Sequence, residues 1–85
     1  MYYYLAVFRS RSETLYFANM LRSNGVLVSI INTPKEAGQT CGICVKFMPN
    51  AFEVAKRLFM QKPFKTFAGF YSVMLRNGGM ELTRI

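Results

Sequence analysis

Apolar and polar positions divide this chain into short periodic runs. Tyr2 to Phe8 is an aromatic and β-branched run of strand length. Ser10-Arg11-Ser12-Glu13 then reads as a capping box, in which the serine accepts from an early amide and the glutamate reaches back. The pattern from about Arg11 to Asn24 puts Thr14, Phe17, Ala18, Met20 and Leu21 on one helical stripe, with Asn19, Arg22 and Ser23 opposite. Gly25 supplies a left-handed stop.

A second strand is expected from Val26 to Thr33, closed by Pro34, which has no amide to give a ladder. The loop Lys35 to Thr40 leads to a third strand, Ile43 to Met48. Pro49-Asn50 opens a second helix with Asn50 as cap and Glu53 three residues on. Ala51, Val54, Ala55, Leu58 and Phe59 form its apolar stripe, and Pro63 ends it. Phe67 to Leu75 is the fourth strand, and the Asn77-Gly78-Gly79 turn lets Met80 to Ile85 fold back as a short edge strand.

The order βαββαβ predicts an α+β, ferredoxin-like sandwich. It has a four-stranded antiparallel sheet, two helices on one face, and room for that extra edge strand. The first and third strands become central, and the first and second run parallel. The start of the first helix and the loop after the second strand then share one end of the sheet.

At 85 residues this is a single domain spanning 1–85. A body of that size buries only about 60% of its unfolded surface. Yet 52% of its residues are apolar and 15% aromatic, so a second subunit is expected to cover part of the surface. The net charge of +7 suits anionic partners. The amino-terminal run lacks the charged start and cleavage site of a signal peptide. No apolar run reaches the ~18 residues of a membrane span. A cytoplasmic protein with no membrane partner is the expectation.

Cys41 draws attention because the fold sets it beside Phe8, Arg9 and Ser10, at the amino end of the first helix. That end carries partial positive charge, and Arg9, Arg11 and Lys35 would add to it. Such surroundings favour the thiolate, the reactive form. The neighbouring Gly42 adds no side-chain bulk, and Thr40 precedes the thiol directly. The competing reading makes Cys41 a small buried hydrophobe at a strand end.

Cys41-Gly42-Ile43-Cys44 has the C-x-x-C form, but an extended strand points such a pair to opposite faces. Cys44 is then a residue of the open sheet face. A chain with no histidine and no second pair cannot close a four-ligand zinc site, so neither metal nor cofactor is expected. The same inventory removes imidazole-based triads. Glu13, Glu36, Glu53 and Glu81 are scattered along the chain and form no hydrolytic pair.

Over roughly Tyr3 to Tyr71 the chain resembles a family of small selenium/sulfur carrier-like proteins. The likeness rests on Phe8-x-Ser10, Asn24-Gly25-Val26, Thr33-Pro34-Lys35-Glu36, and Cys41-Gly42 entering an apolar strand. It implies that Cys41 is where sulfur or selenium rides, with Thr33, Pro34, Lys35 and Gly42 shaping its loop. It also implies donor and acceptor proteins as partners, and a carrier rather than a catalyst.

Two other functions compete. An RNA-binding module would stack bases on Tyr2, Tyr4 and Phe8, placed on the helix-free face with Cys44 and Lys46. The Lys/Arg-Gly-aromatic signature of such sheets is missing from the third strand. A homodimer would instead bury those same aromatics, which would otherwise be wet, and it is compatible with the carrier role.

Overall fold

The computed structural model describes residues 2–38 and 41–85. Strand β1 (Tyr2–Phe8) leads into helix α1 (Arg11–Ser23) and strand β2 (Val28–Asn32). A 3₁₀ turn at Lys35–Ala37 precedes strand β3 (Ile43–Phe47). A second 3₁₀ turn, Pro49–Ala51, runs into helix α2 (Phe52–Phe59), followed by strands β4 (Phe67–Arg76) and β5 (Gly79–Arg84).

The strands form one sheet in the order β2-β3-β1-β4-β5, with every neighbouring pair antiparallel. As β1 and β2 both oppose β3, they run parallel to each other, as the sequence predicts. The sheet has five strands, the fifth being the edge strand that the sequence leaves room for after the four. β5 pairs with β4 from Tyr71–Arg84 to Arg76–Gly79, so the Asn77-Gly78-Gly79 turn makes a full hairpin.

Both helices pack on one side of this sheet, over a cluster that includes Ala6, Phe8, Phe17, Leu21, Val45, Phe47, Ala55 and Leu58. Phe8, Phe17 and Phe47 are the largest sealed side chains in it. Thr14, Phe17, Ala18 and Leu21 are the buried stripe of α1, while Met20 is half-buried against the same cluster.

The aromatic face of β1 is reversed from expectation. Phe8 and Tyr4 pack under the helices, and Tyr2 bonds its hydroxyl to that of Tyr4 at 2.9 Å on the same side. Tyr3, Leu5 and Val7 face the helix-free side instead, with Cys44 and Val73. The cause is that β1 is buried on both faces, so its sequence is apolar in both parities and alternation does not say which looks at the helices. Of the aromatics of the RNA reading, Phe8 is a core residue and Tyr4 is half-buried under the helices, while Tyr2 stays exposed on that same side. Phe8 is 0% exposed, which also removes the need for a second subunit to cover it.

The helix-free side is itself closed over β1. Ala37 of the first 3₁₀ turn, Ile31, Ala68, Tyr71 and Leu82 pack on Leu5, Val7 and Cys44. The ammonium of Lys46 lies 4.5 Å above the Tyr3 ring.

Two helix starts differ from the capping reading. Ser10 Oγ does accept from the Glu13 amide at 3.2 Å. The Glu13 carboxylate, however, does not return to Ser10. It accepts from the amides of Lys65 at 2.9 Å and Thr66 at 2.8 Å, and from the Thr66 hydroxyl. That hydroxyl oxygen in turn accepts from the Ser10 amide at 3.1 Å. A residue from just before β4 is thus inserted into the cap of α1. In the second case, Asn50 lies within the 3₁₀ turn, and α2 begins at Phe52 with no side-chain cap.

Candidate functional site

The β2–β3 ladder runs from Val28–Phe47 to Asn32–Ile43, and the Thr33 amide extends it to Gly42 O at 3.0 Å. Pro34 ends β2, and the chain turns through Lys35–Ala37 before returning at Cys41. The β1–β3 register, Tyr4–Phe47 to Ala6–Val45, carried two steps further sets Phe8 level with Ile43. Cys41 therefore arrives just past the end of β1, where α1 begins.

Cys41 is half-buried there. Cys41 Sγ lies 3.6 Å from Thr14 Oγ1, 3.8 Å from Phe8 O and 3.6 Å from Ile43 O. The two carbonyls can only accept, so the S–H has ready partners. The Thr14 hydroxyl is different, because it can accept or donate. Among the described residues it is the side-chain donor within reach of this sulfur.

Cys44, three residues on, is sealed in the other cluster at 0% exposure. Burial pushes its thiol up to about 11; the nearby Thr33 hydroxyl opposes this, and the charge of Cys41 adds to it. Thr33 Oγ1 itself is buried with no hydrogen-bond partner of proper geometry among the described residues, so it acts on that thiol by proximity. The two cysteines thus lie on opposite sides of the sheet, Cys41 beside Thr14 of α1 and Cys44 on the helix-free side, although the chain at Cys41-Gly42 is not extended and joins β3 only at Ile43.

The remaining sequence candidates divide. Gly42 has φ +95, a conformation that side chains rarely adopt, and a Cβ built on it meets nothing within 4 Å. Its glycine therefore serves backbone shape and not clearance. Ser10 spends its hydroxyl on the Glu13 amide and on Ser12 Oγ at 2.9 Å, so it caps α1 and does not reach the sulfur. Arg9 donates its amide to Thr66 O at 2.8 Å and leaves its side chain in water. Thr33 adjoins Cys44 rather than Cys41. Pro34 is half-buried, Lys35 is exposed on the 3₁₀ turn, and Thr40 lies outside the described residues.

Charge is unevenly spent around this end of the sheet. The two ion pairs among the described residues are Glu53–Lys56 at 3.2 Å and Glu81–Arg76 at 3.6 Å, both well exposed and worth little. Burial disfavours the Glu13 carboxylate. The Thr66 hydroxyl, the Lys65 and Thr66 amides and the Lys62 charge outweigh that and hold it below the usual carboxylate range. Arg9, Arg11, Lys35 and Lys65 are all exposed and make no ion pair among the described residues.

Thr14 is the residue that sequence reasoning placed only in the core. It is 0% exposed, and among the described residues it is the one polar side chain in the buried set. A hydroxyl on an otherwise apolar helical stripe, one turn from the cap, was the available signal.

Among the described residues no cluster of three or more histidine, cysteine or acidic side chains is placed to hold a metal ion. Among the same residues, no helix is long and apolar enough to cross a membrane.

Neither the curated proteins nor the solved structures compared contain a match to this chain. Residues 3–71 match the family described as "Putative Se/S carrier protein-like". That span takes in β1 from its second residue, both helices, the Cys41 loop and the start of β4. The chain belongs to this Se/S carrier protein-like family.

Proposed function

We propose that this protein carries sulfur or selenium as an adduct of Cys41 and passes it from a donor protein to an acceptor. The observation behind this reading is the contrast between its two thiols. Cys41 is half-buried beside a hydroxyl at the start of α1, and Cys44 is sealed and hard to ionise. The family to which the chain belongs points the same way.

The chemistry needs no oxidant. The Cys41 thiolate attacks the outer sulfur of a donor persulfide, a new S–S bond forms, and the donor cysteine leaves as its thiolate. In delivery an acceptor nucleophile takes that outer sulfur and Cys41 leaves as thiolate. Electrons balance in both steps, and a selenium adduct follows the same course. The exposed Arg9, Arg11, Lys35 and Lys65 suit donor and acceptor surfaces that are acidic.

Intact mass spectrometry tests the proposal. Protein treated with glutathione persulfide and freed of excess reagent should gain the mass of one sulfur atom on Cys41. A Cys41→Ser chain should gain none. Sulfur found on Cys44, or on neither cysteine, overturns the reading.

A further inference from the structure

We infer that Thr14 is a positioning residue for Cys41, its hydroxyl turning from a backbone carbonyl to the sulfur whenever Cys41 becomes a thiolate. The purpose of the switch rests on the carrier reading above. Its test reads the reactivity of the thiol alone.

In the resting state Thr14 Oγ1 donates to Ser10 O at 2.9 Å. It sits 3.6 Å from Cys41 Sγ, whose proton has that oxygen and the carbonyls of Phe8 and Ile43 as acceptors. Removal of the proton turns those carbonyls into unfavourable neighbours, since they can offer nothing to a negative sulfur. Thr14 is then the group that can respond, by rotating its O–H about one bond.

The rotation costs little because of a second hydrogen bond. Ser10 O also accepts the Thr14 amide at 3.0 Å, so the carbonyl stays satisfied when the hydroxyl leaves it. The Thr14 proton is therefore spare. Full burial keeps water from competing for it, and β-branching restricts the side chain's rotamers so that the oxygen stays within reach of the sulfur. Attack and departure both pass through a Cys41 thiolate in the proposed transfer, so one hydroxyl would assist loading and delivery alike.

The experiment is the alkylation rate of Cys41 by iodoacetamide near neutral pH, in wild type, Thr14→Val and Thr14→Ser. A hydrogen bond to a charged group predicts that Thr14→Val slows the rate by about three- to tenfold. Thr14→Ser, which keeps the hydroxyl, should stay within about twofold of wild type by the same argument. Packing alone predicts the opposite order, since serine loses a buried methyl and valine does not. Equal slowing in both variants, or a wild-type rate in Thr14→Val, overturns the inference. If valine does not fold, Thr14→Ala gives the same readout; the space it frees would quicken access, so slowing there supports the hydroxyl role and no slowing ends it. A slow Thr14→Val protein together with a wild type that takes no sulfur from glutathione persulfide keeps Thr14 and ends the carrier reading. The reverse pattern ends the Thr14 role alone.

Discussion

Glu13 and Thr66 are joined by two hydrogen bonds, the carboxylate receiving both the amide and the hydroxyl of the threonine. With the Lys65 amide on the same group, the start of α1 is fastened to the chain entering β4. These bonds stabilise the charged form, and the folded carboxyl titrates below its unfolded value. The stabilisation is whole above the unfolded carboxylate range and is lost as pH falls through the folded value. Glu13→Gln should therefore cost about 1–2 kcal/mol at neutral pH. The difference from wild type should fade as pH falls below the usual carboxylate range and through the lower folded value. Urea unfolding of both chains across that range checks it; a gap that persists in acid would mean that the charge contributes nothing.

The two thiols should separate cleanly under native labelling. Iodoacetamide should modify Cys41 in the folded protein and reach Cys44 only after denaturation. Peptide mass mapping with and without urea decides this, and equal modification of both under native conditions would contradict the burial of Cys44.

Cys44 also carries a linked alkaline effect. Its folded pKa of about 11 stands above the roughly 8.5 of an unfolded cysteine. The folded chain keeps a proton that the unfolded chain releases. Stability is whole below about pH 8.5 and declines as pH rises toward the folded value. Replacing Cys44 with alanine should flatten that decline relative to wild type, measured by denaturant midpoints at alkaline pH. An unchanged slope would assign the loss to other groups.

Gly42 offers a separate test beside the site. With φ +95 and open space around its Cα, an added methyl strains the backbone without touching a neighbour. Gly42→Ala should lose about 1 kcal/mol. For a domain of this size that lowers the melting midpoint by roughly 4–8 °C. Cys41 alkylation in the folded variant should keep its wild-type rate. A slower rate would show that the glycine provides access after all.

Gly69 answers differently. At φ +139 a Cβ there would come within 3.0 Å of Arg84 Nε, because the guanidinium of the β5 residue lies across its backbone. Gly69→Ala should destabilise by about 1–2 kcal/mol through strain and displacement together. Adding Arg84→Ala should recover the displacement part alone, a coupling that a double-mutant cycle of melting curves resolves.

Most of this fold is written locally. The β1 run, the α1 stripe with its Ser10 cap and Gly25 stop, and the Pro34 break each follow from a few adjacent residues. What the sequence concealed depends on distant partners or on parity. Glu13 reaches a partner 53 residues away in place of the capping-box amide. The facing of Tyr4 and Phe8 depends on which parity of a doubly buried strand meets the helices. Pro49 and Asn50 look like a helix start because the first residues of a 3₁₀ turn and of an α-helix share the same composition. Cys41 was legible as a position but not as an environment, because Thr14 approaches it only after α1 has packed.

The sheet separating Cys41 from Cys44 has a further consequence for any cargo. Where a second thiol stands beside a loaded one, it can attack the inner sulfur, close a ring and expel the outer atom as hydrosulfide. The chain's second and last cysteine lies behind the backbone and faces away. A sulfur held on Cys41 would thus have no internal exit, and would wait for a nucleophile brought by another molecule.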